Sequence, residues 1–255
     1  MFEPNSTIGW ASGKLRASAI DLVQYLRAPT LTPTDGQMSG KPTDLVWLFA
    51  VNCGVVALLA IILFPAMLLF DIEMSGDMSE LFARPVWQIL AIVVIVGPIM
   101  EELFFRTWLS GLPRLLVPLC AVIAWLIGSA ALRESGASGP APTELLLLGG
   151  GIAVAALIGS IWAWKKPVPG WYIRMFPGIF WIQALLFGFM HVFNYAGDNP
   201  AALLPFILPQ LTGGLIWGYA RIRYGWWANI IMHMAYNLIA TSGLLYMLLA
   251  GKEIF

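Results

Sequence analysis

Charge is scarce in this sequence. Its 255 residues include 14 Lys or Arg and 14 Asp or Glu, so charged residues make up 11% of the chain and the formal net charge is zero. Hydrophobic residues make up 59%, whereas a water-exposed surface needs the opposite balance. The lack of a positive excess argues against a nucleic-acid partner. The composition therefore predicts an integral membrane protein in contact with the lipid bilayer.

Cysteine and histidine are also rare. Cys53 and Cys120 fall within apolar runs, where a disulfide is not expected, and we interpret them as packing residues. Only His191 and His233 occur, and no His-Glu-x-x-His pair offers clustered zinc ligands. The sequence shows no repeat and no second, soluble domain.

Long apolar runs are what the chain has in abundance. About 20 apolar residues at a rise of 1.5 Å each cross the core of a bilayer. We therefore predict an all-α fold, a polytopic helix bundle with about seven transmembrane helices. The predicted spans are 45–70, 85–112, 115–132, 145–164, 175–195, 199–220 and 226–250. Residues 45–255 would form the transmembrane domain.

Residues 1–44 precede the first predicted span as a separate N-terminal segment. Apolar side chains recur there at helical spacing among charged ones, and these are Leu15, Ala19, Leu22, Val23 and Leu26. The pattern indicates a short helix lying on the membrane surface, with a poorly ordered tail as the alternative. Residues 29–44 are rich in Pro, Thr, Gly and Asp and indicate a linker.

Lys and Arg are unevenly distributed between the two sides of the predicted bundle. If the N-terminus is cytoplasmic, the inner segments hold Lys14, Arg16, Arg27, Lys41, Arg106, Arg114, Lys165, Lys166, Arg174, Arg221 and Arg223. The outer segments hold only Arg84, Arg133 and Lys252, and the 71–80 loop is purely acidic. Because cytoplasmic loops carry the excess of positive charge, we predict a cytoplasmic N-terminus. We expect the membrane to be a bacterial inner or plasma membrane.

Several ionisable side chains lie inside the second predicted span. Each costs roughly 2.5–3.5 kcal/mol at a helix centre, so such residues usually have a function. Glu102 and Arg106 are four residues apart and share a helix face, so Arg106 is expected to neutralise Glu102. Glu101 points elsewhere and can act as a general base. The alternative is a plain buried ion pair with Glu101 protonated and idle.

Two later spans carry the histidines. His191 follows Phe187 by one helical turn, and His233 precedes Asn237 by one turn. Two histidines, an amide in register and a spare carboxylate favour a functional site over isolated core residues. Glu101, His191 and His233 could also bind zinc as a facial triad, although amides are poor ligands for such metals.

The three motifs, in this order on hydrophobic spans, resemble the CAAX protease and bacteriocin-processing family, which includes the Rce1-type prenyl-protein endopeptidases. They are Glu-Glu-x-x-x-Arg at 101–106, Phe-x-x-x-His at 187–191 and His-x-x-x-Asn at 233–237. The resemblance covers roughly residues 85–250. It implies that Glu101 activates water together with His191, that His233 and Asn237 stabilise the oxyanion, and that Glu102, Arg106 and Phe187 support the site. It implies no obligatory metal.

Two features depart from the family pattern. Thr107 stands where the family usually has glycine, and Glu101 and His191 are separated by 90 residues, more than is usual. The excess fits the two additional spans 115–132 and 145–164, and an even number of inserted crossings preserves the orientation of the motif helices. Equal rise per residue places Glu101, His191 and His233 at different depths. Either the span ends differ from the prediction, or Pro98 breaks the second span.

The resemblance implies an intramembrane endopeptidase of the glutamate type, acting on a membrane-associated protein or peptide. One alternative is a catalytically silent binding or immunity protein of the same fold. Another is a transporter or proton relay, since these also contain buried Glu and His, but the chain shows no inverted repeat. The protease hypothesis requires Glu101, His191, His233 and Asn237 to converge on one polar cavity.

Overall fold

The computed structural model describes residues 7–31, 41–135, 142–197 and 200–249, and these residues are almost entirely helical. The longer α-helices are α1 (Thr7–Arg27), α2 (Leu45–Leu69), α5 (Gly97–Arg106), α6 (Pro113–Ser135), α7 (Pro142–Ala163), α8 (Gly170–Met190), α10 (Leu208–Tyr224) and α11 (Trp226–Leu249). The short ones are α3 (Gly76–Phe82), α4 (Val86–Ile89) and α9 (Pro200–Leu203). Single 3-10 turns occupy Pro42–Asp44, Trp108–Ser110, His191–Asn194 and Leu204–Ile207. The predicted all-α class is confirmed.

Six helical stretches in the described part of the chain are long and apolar enough to cross a membrane. They are Pro42–Leu69, Val86–Ser110, Pro113–Glu134, Thr143–Ala163, Gly170–Asn194 and Ala201–Tyr224. Each overlaps one of the first six predicted spans. The seventh coincides with α11, which contains the polar residues Asn229, His233 and Asn237; its crossing and the cytoplasmic N-terminus stay predictions.

The chain divides into two compact units, of which the smaller comprises residues 107–175. It contains α6 and α7, the two additional spans. Their backbones approach closely at small residues: a Cβ added to Gly128 would lie 2.9 Å from a methyl of Leu148, and one added to Gly159 would lie 3.0 Å from a methyl of Val117. The extra length between the first two motifs thus forms a compact unit of its own.

The larger unit comprises residues 1–106 and 176–255 and contains all three motifs. Within it, α1 is the helix that the N-terminal pattern predicts, and its Leu22 is buried. Asp21 accepts a hydrogen bond from the Tyr219 hydroxyl, and Lys14 pairs with Asp44 at 3.6 Å. These contacts attach α1 to the bundle, whereas its position at a membrane surface stays a prediction. Residues 32–40 of the predicted linker lie outside the described residues.

The second predicted span is not a uniform helix. After α4 the chain forms a π-helix, Leu90–Val96, in which the Gly97 N–H bonds to the Ile92 carbonyl five residues back. A Cβ on Gly97 would lie 2.7 Å from that carbonyl oxygen, so only glycine allows this approach. The next bond in the same register would join residue 98 to Val93, but Pro98 has no N–H to donate. The span therefore changes helix type before Pro98, and Glu101 lies in a new α-helical segment.

A two-stranded ribbon, β1 (Glu73–Met74) with β2 (Tyr195–Ala196), is the sheet found among the described residues. The strands are antiparallel, with Glu73 opposite Ala196 and Met74 opposite Tyr195. The pairing extends one residue further, since the Ser75 N–H donates to the Asn194 carbonyl at 2.9 Å. The ribbon joins the segment before α3 to the segment that directly follows His191.

Candidate active site

A cavity of about 590 Å³ in the larger unit brings the four predicted catalytic residues together. Glu101 comes from α5, and His191 is the first residue after α8. His233 and Asn237 project one turn apart from α11. All four side chains line the cavity, so the convergence that the protease hypothesis requires is observed.

Glu101 lies between the two imidazoles. Its Oε2 atom is 3.9 Å from Nε2 of His191 and 3.7 Å from Nε2 of His233. These separations are too long for direct hydrogen bonds. The Oε2 atom is itself buried, and no hydrogen-bond partner for it occurs among the described residues. Three polar atoms therefore face one small volume without bonding to each other.

The tautomers of both histidines follow from their second nitrogen atoms. Nδ1 of His191 lies 2.7 Å from the Phe187 carbonyl, which can only accept, so Nδ1 carries the proton. Nδ1 of His233 lies 2.8 Å from Oε1 of Glu102 and donates to that carboxylate. In the neutral state both Nε2 atoms are therefore acceptors directed at Glu101. A water molecule placed between these three acceptors could donate its two hydrogens to two of them.

Glu102 has more partners than the predicted ion pair. Its Oε1 lies 3.2 Å from Nη1 of Arg106, so the predicted pairing is present, and both side chains are fully buried. The same carboxylate also accepts from His233 and from the amide of Asn229. Glu102 therefore links the arginine of α5 to two polar side chains of α11 and fixes the orientation of His233.

Aromatic rings enclose this buried ionic cluster. The guanidinium carbon of Arg106 lies 4.0 Å from the centre of the Phe187 ring and 5.8 Å from that of Trp217, positions in which a cation is attracted to the π face. Trp217 also stacks on His233, with ring centres 3.9 Å apart and planes inclined by 23°. Phe187, predicted as a supporting residue, thus contacts both the arginine and His191.

Asn237 is tied to the π-helix. Its amide nitrogen donates to the Val93 carbonyl at 2.8 Å. This is the carbonyl to which residue 98 would donate in π-helical register, but Pro98 has no N–H. The hydroxyl of Thr241 donates to the Asn237 backbone carbonyl at 2.7 Å. A side-chain amide has two N–H donors, so one remains for a ligand in the cavity. Glycine at 97 and proline at 98 thus help to position an amide on another helix.

Two neighbours of the candidate catalytic residues escape the sequence analysis. Asn229 precedes His233 by four residues, as Asn237 follows it by four, so helical spacing alone could have placed Asn229 on the same face. Trp217 has no such signal, because it reaches His233 from α10. The ribbon residues Met74 and Tyr195 also line the cavity, and nothing in their sequence patterns predicts this.

The zinc alternative can be tested against the geometry. A tetrahedral zinc ion with nitrogen and oxygen ligands at about 2.0–2.1 Å holds those atoms roughly 3.3 Å apart. The separations from Glu101 to His191 and His233 are wider, at 3.9 and 3.7 Å. In the described parts of the chain, no group of three or more His, Cys, Asp or Glu side chains could hold a metal ion. These separations give no support to zinc ligation by the three side chains, and a metal-independent site stays a prediction.

Comparison with known protein families adds independent support. The family model described as type II CAAX prenyl endopeptidase, Rce1-like, matches residues 83–239. The match covers more than half of the chain and includes all three motifs. The chain belongs to the Rce1-like family. Membership and the apolar helices together make it an integral membrane protein, and the family implies protease activity on a protein substrate. No curated protein and no solved structure matches the chain.

Proposed function

We propose that this protein is an intramembrane endopeptidase that hydrolyses a peptide bond of a membrane-associated protein or peptide. The substrate would be reached in a bacterial inner or plasma membrane. The observation that carries the proposal is the approach of two imidazole Nε2 atoms to one carboxylate oxygen, Oε2 of Glu101. This arrangement holds a water molecule between a base and two orienting groups.

In the first step, Glu101 removes a proton from this water while Nε2 of His191 accepts its other hydrogen. The water oxygen attacks the substrate carbonyl carbon, and the carbonyl oxygen becomes an oxyanion. The free N–H of Asn237 donates to that oxyanion. The Val93 carbonyl accepts from the other N–H of the Asn237 amide, so the donor is positioned before the charge develops.

His233 contributes once it is protonated. In its neutral form Nε2 has no hydrogen to donate, because Nδ1 donates to Glu102. Oε2 of Glu101 lies 3.7 Å from this nitrogen, so a small approach of the two side chains brings them within hydrogen-bond distance and lets the proton pass to Nε2. The Glu102 carboxylate stabilises the resulting imidazolium. The C–N bond then breaks and the leaving nitrogen takes this proton. The products are an amine and a carboxylic acid, and the acid gives up its remaining proton to the amine or to water.

The experiment is cleavage of membrane-peptide libraries by the purified protein in liposomes, with the products identified by mass spectrometry. Wild-type protein should release products, and Glu101→Gln should fold and release none. Folded wild-type protein that captures a peptide without cleaving any would overturn the proposal in favour of a silent binding role. Proton-coupled uptake into the liposomes without cleavage would indicate a transporter.

A further inference from the structure

Positive charge gathers at one end of the smaller unit. Its two carboxylates, Glu134 and Glu144, lie near the end of α6 and the start of α7, as does Arg133. Its other cations are Arg114, Lys165, Lys166 and Arg174. Among the described residues, none of these four cations forms an ion pair. We call the end that contains Arg114, Lys165 and Lys166 the basic end.

Arg114 is held against the turn that follows α7. Its Nη1 atom donates to the Trp164 carbonyl at 3.1 Å. Its guanidinium carbon also lies 5.8 Å from the centre of the Trp164 ring, a position in which the cation is attracted to the π face. A guanidinium group offers several N–H donors in a fixed fork. Donors therefore remain for an anion after the bond that fixes the side chain.

The turn after α7 presents two lysines together with two indole rings. The Lys166 N–H donates to the Ala163 carbonyl at 3.1 Å, which fixes the backbone of the turn. Nζ of Lys166 lies 4.6 Å from the centre of the Trp162 ring, within range of cation–π attraction. Lys165 and Lys166 are exposed, and so are the rings of Trp162 and Trp164. Cations and large apolar surfaces are therefore offered side by side.

The basic end lies at the edge of two candidate membrane spans. These are Pro113–Glu134 and Thr143–Ala163, so Arg114 is the second residue of one span and Lys165 is the second residue after the other. Residues at such positions lie at the level of the lipid headgroups, where tryptophan rings and cations concentrate. The predicted topology places this end at the cytoplasmic leaflet, which carries the anionic lipids.

We propose that the basic end of the smaller unit binds the phosphate of an anionic phospholipid headgroup. Arg114, Lys165 and Lys166 donate to the phosphate oxygens. Trp162 and Trp164 pack against the glycerol backbone and the upper part of the acyl chains. A lipid uses both the cations and the exposed rings, whereas a soluble phosphate uses only the cations. The proposal concerns the inserted helices alone and does not depend on the proposed endopeptidase activity.

The first measurement compares two lipids that differ in headgroup charge. Native mass spectrometry of the detergent-solubilised wild-type protein gives dissociation constants for phosphatidylglycerol and for phosphatidylcholine with the same acyl chains. Phosphatidylglycerol should bind at least about tenfold more tightly, because each nearby Lys or Arg strengthens attraction to an anionic lipid several-fold. Equal affinities would overturn the proposal. Displacement of phosphatidylglycerol by inorganic phosphate would also overturn it, because the site would then hold a soluble anion.

A matched pair of variants on α6 separates the basic end from net charge. Arg114→Gln and Arg133→Gln each remove one positive charge, the first from the basic end and the second from the opposite end. Arg114→Gln should weaken phosphatidylglycerol binding by about fivefold and leave phosphatidylcholine binding unchanged. Arg133→Gln should change neither. Equal weakening in both variants would show that net charge alone sets the preference, which would overturn the proposal.

The two lysines provide a second test, in case Arg114→Gln fails to fold. Both are exposed, so the double variant Lys165→Gln/Lys166→Gln removes no buried contact of their charged groups. It should weaken phosphatidylglycerol binding by about 30-fold, and an unchanged affinity would overturn the proposal. Circular dichroism and gel filtration verify the fold of each variant.

Discussion

His233 and Glu102 form a carboxylate–imidazole pair at the centre of the larger unit, with Nδ1 of His233 2.8 Å from Oε1 of Glu102. The carboxylate fixes the tautomer of the imidazole and leaves its Nε2 directed at Glu101. Glu102 is therefore more than a structural counter-ion for Arg106. One buried carboxylate neutralises the arginine and orients a proposed catalytic histidine, so we expect substitution of Glu102 to affect both stability and the proposed activity.

Removing either charge of the buried pair should destabilise the protein strongly. Arg106→Ala leaves Glu102 charged and buried, and Glu102→Ala leaves the guanidinium without its carboxylate. Breaking such a pair costs about 3–5 kcal/mol, so the yield of folded protein in detergent should drop for both variants. Glu101→Gln, which removes no charge from this pair, is the control and should fold normally. An equal loss of yield in all three variants would contradict this division of roles.

Asn229 should affect the reaction through His233. Its amide donates to Glu102, so Asn229→Leu keeps the side-chain volume but removes one of the bonds that fix the carboxylate. We expect kcat to fall by about tenfold, since losing one hydrogen bond to a charged group costs about 1.5–3 kcal/mol. KM should change little, because Asn229 does not line the cavity. A change in KM alone would contradict a positioning role. So would a finding that neither Asn229→Gln nor Asn229→Ser has a higher kcat than Asn229→Leu.

Gly97 should be essential to the shape of the second span. Gly97→Ala would place a Cβ 2.7 Å from the Ile92 carbonyl oxygen, and relieving this contact must disturb the π-helix and the Val93 carbonyl that holds Asn237. Overpacking of this kind costs typically 1–3 kcal/mol, so we expect a lower melting temperature and lower activity. Gly178→Ala on α8 is the matched control, since beyond its chain neighbours and the local backbone of its own helix no atom of the described residues lies within 4 Å of the added Cβ. Equal effects of both substitutions would exclude a special role for the π-helix.

Helical spacing explains which parts of the site are predictable from the sequence. Residues four apart on one helix share a face, and this alone predicts the pairing of Glu102 with Arg106 and the common face of His233 and Asn237. Family motifs add His191. Apolar runs of sufficient length predict six of the helices found. Each of these inferences concerns a single helix.

Contacts between helices are not predictable in this way. Trp217 stacks on His233 from a neighbouring helix, and the ribbon pairs residues near 74 with residues near 195. The π-helix depends on one close approach of the backbone at Gly97. In the sequence, Pro98 by itself predicts only a break in the helix.

Catalysis should not require a tightly bound metal. The separations around Glu101 are wider than those between the ligands of a tetrahedral zinc ion, and Asn237 offers an amide where a metalloprotease would have another imidazole or carboxylate. Purified protein should contain no stoichiometric zinc by elemental analysis, and a chelator should leave peptide cleavage unchanged. Activity that is abolished by chelation and restored by added zinc would replace the glutamate mechanism with a metal site of Glu101, His191 and His233.

Substitutions of Asn237 and of Glu101 should separate the two proposed roles, oxyanion donor and general base. Asn237→Ala removes a donor to the oxyanion but leaves the base, and losing one such donor typically lowers kcat by about 10²–10³. Weak but measurable turnover should therefore remain. Glu101→Gln removes the group that takes the proton from water, so its turnover should fall below that of Asn237→Ala. Ser242→Ala, a change to an exposed hydroxyl on the same helix, is the control and should leave kcat unchanged. Single-turnover cleavage of one peptide by all four proteins gives the order, and a Glu101→Gln variant more active than Asn237→Ala would refute Glu101 as the base.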